Sequence, residues 1–253
     1  MKKHKKRHGN TLPSFKTTPD ILREIQYIQL RDTFNFECAC CGECCRNTEW
    51  SVLLEPFDLF RIARYFRRND RPDQCIEDVI TGYTDITTLP SSDYPIFLMK
   101  TKGTRKSCVF LKDGRCSIHG VKPKACRLYP LGAWPNDGMD GFEYFIASQK
   151  QHHFRGPAIL VSDWMDANFS AEDRAVTLAD AKSLKELAPV IRFLKDAGVS
   201  PEHILRPLII FRYVFFDPDE PFIIQLSRNT ERLKKILAGI AEETKIRGGN
   251  HVR

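Results

Sequence analysis

The stretch FNFECACCGECCRNTEW, residues 34–50, holds five of the chain's nine cysteines, all between Cys38 and Cys45. A segment this dense in thiols, with Gly42 inside it and no apolar periodicity, cannot build a core of its own and reads as a loop wrapped around something. The spacing Cys38-x2-Cys41-x2-Cys44 sets thiols three residues apart, a bite that lets a backbone turn around a metal centre. Cys45 is adjacent to Cys44 and is expected to project differently, toward a second metal, another iron of a cluster, or the core. Cys40 sits between ligand positions and reads as an unused neighbour. Disulfides would require an oxidising compartment and would invite scrambling among five close thiols.

More ligands are needed, and the chain supplies them further on. CVFLKDGRCSIH reads as a short strand, a Lys-Asp-Gly turn and a second strand, a hairpin that brings Cys108 near Cys116. GVKPKACRLYPLGAWP then places Cys126 in a proline-punctuated loop. Cys38, Cys41, Cys44, Cys45, Cys108, Cys116 and Cys126 are the candidate metal ligands. Seven thiols exceed the four that one tetrahedral zinc takes, so two sites, or a cluster with spare thiols, fit better. Soft thiolates suit zinc and iron alike, including a 4Fe-4S cluster, and the choice stays open. Cys75 reads as a small core residue beside Ile76 and Ile80. His119 reads as a lone histidine in a turn, and His152 and His153 as a surface pair without metal. The chain has no Ser-His-Asp signature, phosphate loop or HExxH helix, so no catalytic residue is assigned.

A chain of 253 residues with 42% hydrophobic content can bury a real core without staples. The start, MKKHKKRHGN, lacks the apolar region of a secretory signal, and the longest apolar run, PLIIFRYVFF, is interrupted by Arg212 and too short to span a bilayer. A cytoplasmic, reducing location without membrane attachment is expected. Lys2, Lys3, Lys5, Lys6 and Arg7 carry much of the net charge of +7. Residues 1–14 therefore read as a basic, disordered tail, able to touch an acidic partner; without interleaved aromatic and basic residues, nucleic acid is a minor reading.

The pattern predicts an α+β, mainly helical fold. Residues 15–156 form a loop-rich metal-binding core with short strands, and residues 157–253 a helical extension packed on it. An amphipathic helix is expected over TTPDILREIQYIQLRD, with Thr18 and Pro19 at its start and Ile21, Leu22, Ile25 and Ile28 on one face. WSVLL reads as a strand and EPFDLFRIARYFRR as a helix burying Phe57, Phe60, Ala63 and Phe66, with its arginines solvated. DQCIEDVI reads as a short helix and TDITTLPSSD as a polar loop. Further on, Ser170 and Asp173 form a capping box on a helix that Pro189 kinks or divides and Gly198 ends. SPEHIL opens another helix, PFIIQL reads as a strand, and SRNTERLKKILAGIAEETKIRGG as a last helix.

FECACCGECC, VLLEPFDLFRIARYF and CVFLKDGRCSIHGVKPKACRLYP occur in one order, and in this the chain resembles the YkgJ-type CxxCxxCC cysteine-cluster family, a zinc- or iron-chelating domain, over roughly residues 36–135. The resemblance implies metal ligation by Cys38, Cys41, Cys44, Cys45, Cys108, Cys116 and Cys126; the extra Cys40, and His119 in place of a tyrosine, depart from the pattern. A related cysteine pattern in flagellin lysine N-methylases makes an iron-sulfur enzyme, methylase-like or redox, the alternative function. A zinc-bearing interaction module with a basic tail is a further one. No methyl-donor fingerprint accompanies the cysteines.

Overall fold

The computed structural model describes residues 25–38, 41–49, 51–69, 71–88, 94–147 and 151–249. The basic tail, the helix start at Thr18 and Pro19, and Cys40 lie outside the described residues. Seven helices and twelve short strands make up the described part, an α+β fold that is mainly helical. Among the described residues no helix is long and apolar enough to cross a membrane.

Five small antiparallel sheets form the scaffold. Strand β1 (Gln26–Ile28) pairs with β11 (Phe142–Ile146), which also pairs with β10 (Leu131–Pro135). Residues 26–28 are thus a strand, not part of the expected helix: Ile25 and Ile28 are three apart, and the open edge of β11 takes up the backbone hydrogen bonds of this segment. Strand β2 (Thr33–Asn35) pairs with β12 (Ala158–Leu160), while β3 (Leu53–Leu54) and β4 (Thr84–Thr88) flank β5 (Pro95–Met99). Residues 84–88, expected as loop, are therefore an edge strand, made possible by β-branched Thr84, Ile86, Thr87 and Thr88.

Helix α1 (Pro56–Asn69) begins at a proline whose missing N–H costs nothing there. It buries Phe57, Leu59, Phe60, Ile62, Ala63 and Phe66. Its arginine face is not simply solvated. Arg67 pairs with Asp217 at 3.2 Å and Asp219 at 2.8 Å, and Arg61 lies 3.4 Å from Asp173. Helix α2 (Ile76–Tyr83) is capped by Cys75, whose N–H and S–H both donate to Asp78 Oδ2 at 3.0 Å. Cys75 is therefore a cap and not a core residue; its position before the first helical turn outweighs its apolar character.

Helix α3 (Lys124–Leu128) is a single turn carrying Cys126, in place of the expected loop. Pro123 fixes the chain just before it, and Asp58 Oδ1 accepts from Lys124 N at 2.8 Å. After α4 (Val161–Asn168) comes α5 (Ala171–Asp196), one continuous helix that Pro189 does not divide. It starts with the expected box: Asp173 N donates to Ser170 Oγ at 3.1 Å, and Ser170 N to Asp173 Oδ2 at 3.1 Å. Helix α6 (Pro201–Ile209) runs into a π-turn over Ile210–Val214, where Arg212, 3% exposed, donates to Asp180 and Ser183 of α5. Helix α7 (Phe222–Gly249) includes PFIIQL from Phe222 onward, so that segment is helix and not strand. Phe222 seats its ring 5.0 Å from Phe57, 5.1 Å from Phe60 and 4.5 Å from Phe216, and this packing overrides the β-propensity of Ile223 and Ile224.

Three cores result. One joins α1, α2 and β5 to Val176, Tyr213, Phe216, Phe222 and Leu226. A second collects Phe34, Phe36, Leu128, Leu131, Tyr144, Met165 and Phe169, and a third closes the helices α5, α6 and α7 on Leu187, Leu194, Leu208, Leu233 and Leu237.

Asp173, 4% exposed, links these parts. Besides capping α5, its carboxylate accepts from Arg127 Nη1 at 2.7 Å and Nη2 at 2.8 Å. Burial works against its charge, but the hydrogen bonds from Arg127 and Ser170 and the charges of Arg127 and Arg61 outweigh it, so the carboxyl lies below its ordinary value of 3.8. Replacing Asp173 with Ala strands two arginines and is expected to cost about 3–5 kcal/mol. Because the folded value is depressed, this contribution is complete above the unfolded value and is lost as pH falls through the folded one. Urea unfolding should show the full gap between wild type and Asp173→Ala at neutral pH and a shrinking gap below about pH 4.

Candidate metal centre

The cysteine segment folds back on a two-strand hairpin. In β8 (Leu111–Lys112) and β9 (Arg115–Cys116) the strands join through Asp113 and Gly114, whose φ values of 48° and 75° make a tight left-handed turn. Cys108 lies outside this hairpin, in β7 (Ser107–Cys108), paired with Thr101 of β6 (Thr101–Lys102). Gly42 has a φ of +68°, and a Cβ there would stand 3.0 Å from the carbonyl oxygen of Gly114 and 3.3 Å from Leu111. Only glycine allows this approach. Arg46 Nη1 clamps the loop by donating to the Cys41 carbonyl at 2.6 Å and to Glu43 at 3.0 Å. Asn47 N and Thr48 N then bond to the carbonyls of Arg105 and Lys106.

This frame gathers five of the seven candidate thiols. Cys44 and Cys45 share a 3₁₀ turn and their Sγ atoms lie 3.9 Å apart, closer than neighbours with diverging side chains were expected to be. The distance is near the edge of a tetrahedral thiolate site, about 3.8 Å for zinc–sulfur bonds of about 2.3 Å. The Cys45 thiol is pushed far up by its hydrogen bond with Cys44, then by burial and by the charges of Cys44, Cys108 and Cys126. Burial raises Cys126 most, followed by Cys108, Asp58, Cys116 and Cys44. Burial also raises Cys108 and Cys116, with Cys116 acting on Cys108 and Cys44 on Cys116. Burial and neighbouring thiols thus favour the protonated forms of Cys45, Cys108, Cys116 and Cys126. A soft cation would displace those protons and turn mutual repulsion into ligation.

Beside the group, Asp58 is 2% exposed, and burial followed by the charge of Glu55 lifts its carboxyl to about 6. Lys124 Nζ pairs with Glu55, so α3 is held at both its backbone and its first side chain.

The other two candidates lie elsewhere. Cys38 is exposed in the segment after β2. Cys41 faces His153, Sγ to Nε2 at 3.5 Å. His153 is 5% exposed, which corrects the expectation of a surface pair; His152 alone is exposed. The Nδ1 of His153 makes a short hydrogen bond with the Tyr129 hydroxyl. Pairing of β2 with β12 is the cause. Phe36 N bonds to the Pro157 carbonyl at 3.2 Å, and a Cβ on Gly156 would meet the Phe36 backbone at 2.4 Å. The 3₁₀ turn Gln151–His153, which precedes β12, lies beside Cys41. Among the described residues, Cys41, His152 and His153 are the group offering three ligand atoms all within 4.8 Å of one another. His119 stays exposed on a separate 3₁₀ turn. No periodicity in QKQHHFRG signals the burial of His153, because a cross-strand register buries it and not its own segment.

Residues 37–151 match the family model CxxCxxCC, described as "Putative zinc- or iron-chelating domain". No curated protein and no solved structure matches the chain.

Replacing Gly42 with Ala should cost about 1–2 kcal/mol, from the left-handed φ and the contact with the Gly114 carbonyl. Denaturant unfolding, together with faster alkylation of Cys44 and Cys45 in the folded protein, is the measurement that checks it.

Proposed function

We propose, from the match of residues 37–151 to the CxxCxxCC model of zinc- or iron-chelating domains, that the chain holds a metal in a thiolate centre formed by Cys44, Cys45, Cys108, Cys116 and Cys126. The observation that carries this reading is the 3.9 Å approach of the Cys44 and Cys45 Sγ atoms in a loop pinned at Gly42 to the hairpin that bears Cys116, with Cys45, Cys108 and Cys116 gathered on the first core. The Cys44–Cys45 pair has the spacing of a single tetrahedral ion. The breadth of the remaining set, and its excess over four ligands, support a centre of more than one metal atom, either paired zinc or an iron-sulfur cluster. Cys38 and Cys41 belong to the same chelating stretch but stand apart from these five, Cys41 beside His153.

The chemistry of the donors suits both metals. Closed zinc sites would hold together a region where the strands are two residues long. An iron-sulfur cluster would add electron transfer or activation of a bound substrate.

Anaerobic purification with analysis of iron, zinc and acid-labile sulfide tests the reading. Cys108→Ser and Cys116→Ser should each lower affinity by more than the roughly 10–100-fold that loss of a supporting residue costs. Cys75→Ser should keep the full metal content, since serine caps α2 as well as cysteine does. Iron with matching sulfide identifies a cluster, and zinc without sulfide a thiolate zinc centre. Full metal content in both Cys108→Ser and Cys116→Ser would overturn the assignment.

A further inference from the structure

We infer that Cys41, His152 and His153 form a second metal site, mononuclear and separate from the five-thiol centre, that takes one divalent first-row cation such as Zn2+. The inference deepens the chelating reading given above but rests on different residues, and two of them lie just past the matched stretch 37–151.

Three features carry it. The first is spacing: one ligand atom from each residue lies within 4.8 Å of the other two, and Cys41 Sγ and His153 Nε2 are 3.5 Å apart. Two donors on one tetrahedral ion sit at about that separation, given metal–nitrogen and metal–sulfur distances of about 2.0–2.3 Å. The second is orientation. The Tyr129 hydroxyl engages Nδ1 and Nε2 faces Cys41; in the tautomer whose Nδ1–H donates to the Tyr129 oxygen, Nε2 keeps its lone pair on the side where Cys41 stands. A ligating histidine whose other nitrogen is held in this way has its tautomer and ring plane fixed before the metal arrives. Tyr129 is accordingly a positioning residue, itself set by the end of α3 and by edge contacts with Phe36 and His153. The third is construction. Cys41 is fixed by the Arg46 clamp on its carbonyl, and the histidines by the 3₁₀ turn Gln151–His153.

Two imidazoles and one thiolate suit zinc or ferrous iron better than the harder magnesium or calcium. Three protein donors leave a fourth tetrahedral position, and the exposure of Cys41 and His152 opens it to solvent or to a small ligand. The site is thus of the kind that binds a water or a substrate atom.

The test uses the full chain, stripped of metal and titrated anaerobically with Co2+ as a spectroscopic probe, beside total zinc analysis. His152→Ala changes an exposed side chain, so it leaves the core intact even if the buried His153→Gln fails to fold. Wild type should bind one equivalent of Co2+ more than His152→Ala under the same conditions. Tyr129→Phe should keep that equivalent at saturation but bind it roughly 10–100-fold more weakly. Unchanged equivalents and affinity in His152→Ala would overturn the inference. If His152→Ala keeps all its metal while Cys108→Ser loses metal, this site fails and the five-thiol reading stands. If His152→Ala loses its equivalent while Cys108→Ser keeps everything, the five-thiol reading fails and this site stands.

Discussion

The carboxylate of Asp173 is the point on which the arrangement turns. It closes the first turn of α5 through Ser170, accepts a bidentate pair from Arg127 one residue after Cys126, and lies 3.4 Å from Arg61 of α1. Three elements distant in sequence thus share one buried anion. A bidentate arginine contact fixes direction as well as distance, so the orientation of α3, and with it the Cys126 thiol, is set by the first turn of α5. The partly buried Lys124–Glu55 pair and the Asp58 contact repeat the device at the other end of α3. A one-turn helix has little stability of its own; here polar contacts at both ends hold it where hydrophobic area cannot.

The rest of the thiol region follows the same economy. Strands of two residues and 3₁₀ turns bury little apolar surface, and what shape they have comes from close backbone approaches at Gly42 and Gly156 and from the Arg46 clamp. The adjacent Cys44 and Cys45 show the result: a tight turn can bring neighbouring thiols together when its backbone is pinned on both sides.

Much of this was legible in the sequence where the cause is local. Pro56 and the apolar positions Phe57, Phe60, Ala63 and Phe66 announce α1, Ser170 and Asp173 announce the start of α5, and Asp113–Gly114 announces a turn. Where the cause is a distant partner, the sequence misleads. Ile25 and Ile28 satisfy a helical spacing, yet residues 26–28 serve the edge of β11. PFIIQL has the composition of a strand, yet Phe222 opens α7 and seats its ring against Phe57 and Phe60. The cysteine spacing pointed to chelation, and the relevance of His153 depended on a β2–β12 register that no local pattern carries.

The first hydrophobic core has a consequence for how this protein relates to others. Phe57 and Phe60, inside the matched stretch, are covered by Phe222, which lies 71 residues beyond its end at 151. The segment recognisable as shared with other proteins is therefore smaller than the unit that folds around it. A chain that carried the cysteines without these helices would have to cover the same aromatic face with something else, so the matched stretch is a pattern that needs a host to enclose it.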